Sequence, residues 1–400
     1  MSSVATRVSS FFKKLSSRRP TSPTELATES PTGPADDSNN EPSIVDVKVA
    51  IRPSVSSSPL EPLKEACPSP ATLTFERVTL SELEMLGVLG VGTYGVVKLA
   101  RHKPSGRAVA LKVISKEFVV SNRQEKHIVR ERFVHLRLRH PFVTTLYQTL
   151  QDDDCLYLVL EYLPGGELFT VVHSDSMSPL KQPQGGLPMP AVVFYAACII
   201  LALDYLHVQG TIYRDLKLEN LVLDAHGYPK VLDFGFAKPD AVSQRNGTMC
   251  GSIDYMAPEV VRREGHDHRA DVWSFGVLLH ELCLGTTPFA RATPRDQMRA
   301  IQVDPVEFPN AFEDQWPDMC DLVACCLEKD PAMRFADMAA MKSHAVFECV
   351  DWHALSQKQA VPPFVPHLHG AFDTSRFEFA PDDPYVEPYD DDGNDWAKDF

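Results

Sequence analysis

The stretch "IYRDLKLENLVL", Ile212–Leu223, crowds Asp215, Lys217 and Asn220 into six positions between apolar runs. Taken singly, each is an ordinary turn former or helix cap. Together they are a loop that offers a carboxylate, an amine and an amide to one point. Asp215 can accept a hydroxyl proton, Lys217 can neutralise phosphate charge, and Asn220 can hold a magnesium ion. Thirteen positions after Asn220, "KVLDFGFAK" sets Asp233 after a strand and before a glycine. A carboxylate there suits Mg²⁺, which takes one or two carboxylates plus substrate phosphates.

Upstream, "LGVGTYGVVKLA", Leu89–Ala100, carries glycines at Gly90, Gly92 and Gly95. Three readings compete: a dinucleotide fingerprint, a cover over ATP phosphates, or a plain turn. The dinucleotide reading requires a helix to open after the glycines. Here Val96–Leu99 alternates with period two, a Pro104–Gly106 turn follows, and then the apolar run "AVALKVI". That is strand, turn, strand, turn, strand. The dinucleotide reading falls, and glycines in a hairpin leave backbone N–H groups free to close over phosphates. Lys112 lies within that apolar run, where a lysine alone reads equally well as snorkelling to solvent. The charged segment "QEKHIVRERFVHLRLRH" predicts a helix with Val129, Phe133 and Leu136 as its apolar face, and Glu131 on it is within reach of Lys112.

The chain has 400 residues and a net charge of −15. Basic residues gather at the start (Arg7, Lys13, Lys14, Arg18, Arg19), and acids dominate from Asp382 to Asp399. This balance argues against nucleic acid and for basic substrates. No run of about eighteen uninterrupted apolar residues is seen, so no transmembrane segment is expected. Nine scattered cysteines without a C-x-x-C pair read as free thiols in a reducing compartment. Residues 1–74, rich in Ser, Pro and Thr, read as a disordered arm. The expected division is 1–74 arm, 75–348 catalytic domain and 349–400 tail, with extended chain beyond about Trp352.

The glycines with Val97, the Val-Ala-Leu-Lys ending at Lys112, "YRDLKLEN", "DFG" and "MAPE" at Met256–Glu259 follow one another in the order of the eukaryotic protein kinases. The resemblance spans about 270 residues and the tail. It implies an α+β bilobal fold, with a small antiparallel-sheet lobe and a larger, mainly helical lobe. The implied cofactors are ATP and Mg²⁺. Leu89, Gly90, Gly92, Gly95, Val97 and Ala110 would enclose the nucleotide, and Lys112, paired with Glu131, would bind the α/β-phosphates. Glu161 and Leu163 would form the hinge that meets adenine, with Leu160 as gatekeeper. Asp215 would be the catalytic base beside Lys217, while Asn220 and Asp233 would hold the metal. Lys217 in this motif is the form typical of Ser/Thr kinases; Leu218 replaces the usual proline.

"YRD", "DFGFAK" and the tail "PPFVPHLHGAFDTSRF" resemble the AGC group, most closely the cyclic-AMP- and cyclic-GMP-dependent kinases. In that group the terminal aromatics, here Trp396 and Phe400, dock on the small lobe and hold the Glu131 helix, and Phe377 packs beside adenine. The resemblance also makes Thr248 an activating phosphorylation site met by Arg214, Lys238 and His127. Glu167, Glu219 and Glu281 would hold substrate arginines, and Met249 would shape an apolar site after the acceptor. Ile253-Asp254 stands where relatives commonly carry Pro-Glu. The segment from about His173 to Pro190 is longer than in relatives and reads as a surface loop. "SSRRPTS" makes Thr21 a candidate for self-phosphorylation. Protein substrates with basic motifs, and a regulatory subunit or an activating kinase, are the expected partners. The cytoplasm is the expected location, with the nucleus and the membrane surface as alternatives. A pseudokinase scaffold would be expected to lack Lys112, Asp215 or Asp233, and none is missing.

Overall fold

Period-two patterning in the first motif becomes a hairpin in the computed structural model, which describes residues 77–92, 95–174, 180–183, 185–239, 251–377, 388–389, 396–398 and 400. Strand β1 (Leu83–Gly92) pairs antiparallel with β2 (Gly95–His102), Gly92 opposite Gly95. Strand β2 runs back along β3 (Ala108–Ser115), Val97 opposite Lys112. The turn between them is closed by the His102 N–H on the Arg107 carbonyl at 2.9 Å, with Gly106 at φ +69°. The glycines of the motif differ in kind. A Cβ on Gly95 would meet the Val113 carbonyl oxygen at 1.8 Å, whereas one on Gly90 would meet nothing within 4 Å. Backbone packing therefore requires the third glycine, and the first borders open space.

Helix α1 (Lys116–Ser121), capped by the Ser115 hydroxyl, leads to α2 (Glu125–His135). Strands β4 (Leu146–Gln151) and β5 (Cys155–Glu161) complete an antiparallel sheet in the order β1-β2-β3-β5-β4. Helix α2 corrects the expected apolar face. Val129 and Phe133 are 40% and 47% exposed, and Ile128, Glu131, Val134 and His135 are buried instead. A charged residue holds the inward face because a cation waits there, while Arg137 stacks on the outward Phe133 ring at 3.5 Å.

Beyond the hinge, α3 (Leu168–His173) and α4 (Met189–Val208) open the helical lobe. Helix α4 amends the membrane expectation. Its 20 residues, with a mean hydropathy of 2.0 over the helix's most apolar window, are long and apolar enough to cross a membrane. They are instead largely apolar because the helix runs through the lobe's core, with Tyr213, Leu221, Trp273 and Met341, its polar Asp204 and His207 paired with Lys342 and Asp271. Strands β6 (Thr211–Ile212), β7 (Leu221–Leu223), β8 (Pro229–Val231) and β9 (Lys238–Pro239) form two small antiparallel pairs, β6 with β9 and β7 with β8. Helices α5 (Pro258–Val261), α6 (Arg269–Leu284), α7 (Pro294–Val303), α8 (Asn310–Gln315), α9 (Pro317–Cys326) and α10 (Met338–Met341) follow. Arg334, 0% exposed, donates from both terminal nitrogens to the Glu259 carboxylate at 2.7 and 2.8 Å, and to the backbone carbonyls of Glu328 and Arg269.

Two further expectations change. The His173–Pro190 stretch is not surface loop throughout: Leu187 is buried, its N–H bonds the Leu282 carbonyl at 2.8 Å, and Met189 already belongs to α4. The tail after Trp352 is not simply extended chain, since Trp352–Ser356 forms α11, capped by Asp351. The tail then packs on both lobes. Phe364 joins the helical core, and Phe372 and Phe377 pack against Leu89, Leu99 and Ala110. Trp396 and Phe400 pack against Ile114, Ile128 and Leu156, with Arg132 over the Phe400 ring and the Ala397 carbonyl accepting from Gln151 Nε2 at 2.9 Å. Seven of the cysteines lie among the described residues, and all seven are free thiols.

Candidate active site

Four parts of the chain bring the predicted ionisable groups together: β3, α2, the loop between β6 and β7, and the segment after β8. On β3, Lys112 Nζ lies 2.6 Å from Glu131 Oε1 and 3.4 Å from Asp233 Oδ1. Burial works against its charge, but the Asp233 and Glu131 carboxylates outweigh that and hold the ammonium above its ordinary pKa. Burial raises the Glu131 carboxyl, with Lys112 opposing. Asp233 sits at φ +48° and accepts from the Gly235 N–H at 3.0 Å. Arg214 also has positive φ, at +68°. Such conformations cost about 1–3 kcal/mol each and persist where surrounding contacts over-determine them.

The loop between β6 and β7 presents Asp215. Lys217 Nζ donates to its Oδ2 at 3.0 Å and to the Ser252 hydroxyl at 3.3 Å. Asn220 Nδ2 donates to the Asp215 carbonyl at 2.8 Å and to Oδ2 at 2.7 Å. Asp215 Oδ1 is buried and, among the described residues, has no hydrogen-bond partner. Burial raises the Asp215 carboxyl, with Lys217 and Asn220 opposing. With its NH₂ spent on Asp215, Asn220 has its amide oxygen left to accept or ligate. That oxygen and the Asp233 carboxylate are hard donors that fit a divalent cation. Among the described residues no group of three or more His, Cys, Asp or Glu side chains could hold a metal by itself. Two protein donors leave the remaining coordination places to water and phosphate.

Several of the apolar residues expected around the nucleotide lie together. Leu89, Val97, Leu99, Ala110 and Leu160 form one apolar cluster with Phe377, joined by Tyr162 and Phe372. Leu163, the other residue expected in the hinge, is buried two positions after β5. Glu161 turns its side chain elsewhere, accepting from Lys230 Nζ with both oxygens, at 2.8 and 2.7 Å. Of the expected phosphate pocket, Arg214 Nε bonds the Phe236 carbonyl at 2.8 Å, two residues before Lys238. Burial, then the charges of Arg130 and Arg214, hold His127 below its ordinary pKa. Glu167 is the residue before α3, half-buried, and Glu219 is exposed beside Asn220. Glu281 is buried and already bonded, to the Tyr255 hydroxyl and to His173. Thr21, Thr248 and Met249 lie outside the described residues.

Sequence reasoning missed several supports. Asp271, fully buried on α6, accepts from the N–H groups of Tyr213 and Arg214 at 2.9 and 2.8 Å and from His207 at 2.7 Å, fixing the loop that carries Asp215. Its sequence signal is an acid set among the apolar residues Ala270, Val272 and Trp273. Phe234 packs between His135 of α2 (4.5 Å between ring centroids) and Tyr213 (5.5 Å), connecting the Glu131 helix to the loop.

Comparison with known proteins agrees with this geometry. Residues 83–347 match the protein kinase domain family. The chain is 37% identical over 305 residues to a RAC family serine/threonine-protein kinase homolog of Dictyostelium discoideum, covering 76% of this chain and 66% of that one. It is 36% identical over 325 residues to the cAMP-dependent protein kinase catalytic subunit PRKX of Homo sapiens, covering 80% and 87%. It is 35% identical over 334 residues to cGMP-dependent protein kinase, isozyme 1, of Drosophila melanogaster, covering 82% of this chain but only 42% of that protein. The family uses ATP and a divalent metal to phosphorylate proteins. The chain belongs to the protein kinase family, as a serine/threonine kinase of the AGC type.

Proposed function

We propose that this kinase transfers the γ-phosphoryl group of Mg-ATP to Ser or Thr hydroxyls in arginine-bearing peptides, and that phosphorylation of Thr248 activates it. The observation that carries the reading is the convergence of Lys112, Glu131, Asp215, Lys217, Asn220 and Asp233 on one cleft. Lys112, kept charged and steered by Glu131, binds the α/β-phosphates. Asp215 orients the acceptor hydroxyl and takes its proton, and Lys217, tethered to the same carboxylate, meets the charge that develops on the transferred group. Asn220 and Asp233 hold Mg²⁺, which supplies charge neutralisation along the phosphates.

The arginine preference is supported by the acids Glu167, Glu219 and Glu281, since carboxylates pair bidentately with guanidinium. Control by Thr248 is supported by the cationic Arg214, whose Nε bonds the Phe236 carbonyl two residues before Lys238. A phosphate there would tie α2, the Asp215 loop and the segment after Asp233 together. Activation can come from an upstream kinase or alongside a regulatory subunit, and the likeness to cyclic-nucleotide-dependent kinases favours testing both.

The test is phosphate transfer from Mg-ATP to two serine peptides, one with arginines before the serine and one with glutamates. Transfer to the arginine peptide alone is expected. Asp215→Asn should lower kcat by about 10²–10⁴-fold, and Asp233→Ala should abolish turnover. Equal transfer to both peptides would refute the arginine preference. Full activity of Thr248→Ala would refute the activation site.

A further inference from the structure

Glu281 is 6% exposed, and both of its carboxylate oxygens are engaged. Oε2 accepts from the Tyr255 hydroxyl, and Oε1 lies 2.9 Å from His173 Nε2. A carboxylate only accepts, so Nε2 carries the hydrogen. His173 ends α3, immediately before the stretch that leads to α4. Its ring lies against Phe169, 4.4 Å between centroids, and its carbonyl accepts from Lys181 Nζ at 2.9 Å.

The other end of the stretch is fastened to the backbone just past Glu281. The Leu187 N–H bonds the Leu282 carbonyl at 2.8 Å. Gly185 and Gly186 approach so closely that a Cβ would meet the Leu284 and Cys283 carbonyl oxygens at 2.7 and 2.1 Å. Both glycines have positive φ, +97° and +69°, which other residues rarely adopt. The long connection is thus pinned on either side of one acidic side chain, with its first residue bonded to that side chain.

An arginine engages a carboxylate best by two parallel N–H···O bonds, one to each oxygen. Glu281 offers Oε1 to such a pair only in competition with His173. We infer that His173 is a specificity-determining residue: its N–H competes with a peptide arginine for Oε1 of a carboxylate that Tyr255 already engages at Oε2. Selection for arginine at the peptide position served by Glu281 is therefore weaker than the carboxylate without that competitor would give. This rests on the arginine-directed reading above.

The experiment uses the full chain and serine peptides with a single arginine moved through the six positions before the acceptor, plus an arginine-free peptide. Selectivity is the ratio of kcat/KM for each arginine peptide to that for the arginine-free one. Losing one charge-assisted hydrogen bond to the carboxylate corresponds to about a tenfold change. His173→Ala should therefore raise selectivity about tenfold at one position, through KM, and leave the profile elsewhere as in wild type. His173→Phe keeps a ring against Phe169 without a donor, and should match His173→Ala. His173→Gln still donates, and should stay near wild type. If wild type prefers arginine and both donor-free variants give its unaltered profile, or one shifted equally at all six positions, the competition is overturned. If wild type discriminates at no position, the arginine-directed reading fails and takes this inference with it.

Discussion

Lys230→Met tests the hinge. Lys230 is 8% exposed at its side chain, and it donates to both oxygens of Glu161, which is 22% exposed. Glu161 ends β5 and is further tied to Thr145, whose N–H reaches Oε2 at 3.2 Å and whose carbonyl accepts the Glu161 N–H at 2.9 Å. The pair therefore joins the hinge to β8, two positions before Asp233. At about 2.7 Å and an effective dielectric of about 20, the attraction is about 6 kcal/mol, most of it offset by desolvation. Removing one partner of a buried pair costs about 3–5 kcal/mol, and the partial exposure of Glu161 brings the expectation to about 2 kcal/mol. For a domain of this size that lowers Tm by about 3–4 °C. The assay is thermal unfolding of wild type, Lys230→Met, Glu161→Gln and the double variant, with KM for ATP measured on each. The double variant should be more stable than the sum of the single losses by at least about 1 kcal/mol. KM for ATP should rise in Lys230→Met with little change in peptide KM. Strict additivity of the two losses would refute the rivet.

Other predictions use the same geometry. Gly95→Ala should unfold or severely destabilise the small lobe, because its Cβ would stand 1.8 Å from the Val113 carbonyl, while Gly90→Ala should leave Tm within about 2 °C and raise KM for ATP. Phe400→Ala should cost about 1–2 kcal/mol, less than a full core truncation because the ring is only partly buried, and should lower kcat by releasing α2. Burial brings His135 down to about 4, so the unfolded chain binds its proton first. Stability from this residue is intact above about pH 6.5 and is lost as pH falls toward 4, by up to about 3 kcal/mol. Urea titrations at pH 7 and 4.5 measure that slope, and His135→Gln should flatten it.

What could be read from sequence followed spacing. Asp215, Lys217 and Asn220 lie on one loop, so their convergence needs only local chain geometry, and the apolar run around Lys112 reads as a strand after the alternation at Val96–Leu99. The α2 helix shows where pattern reading fails. Its apolar residues Val129 and Phe133 face outward because the inward position belongs to Glu131, and an ion pair formed across 19 positions leaves no periodic trace. The Lys230–Glu161 pair spans 69 positions and His173–Glu281 spans 108, so neither has a signature in either segment alone. Asp271 looked like one more helix acid until the N–H groups it accepts from came into view.

The Glu259–Arg334 pair bears on how inactive alleles are interpreted. The two residues are 75 positions apart and buried, and Arg334 bonds Glu259 and the backbone carbonyls of Glu328, Lys329 and Arg269, none of them among the residues assigned to ATP or to the Asp215 loop. Losing either leaves an uncompensated charge in the interior, about 3–5 kcal/mol against a typical total of about 5–15. A cell carrying Arg334→Leu would then hold little folded protein. In a signalling assay it would pass for a catalytic lesion, though every group that meets ATP is unchanged. Measuring protein abundance alongside pathway output separates the two kinds of loss.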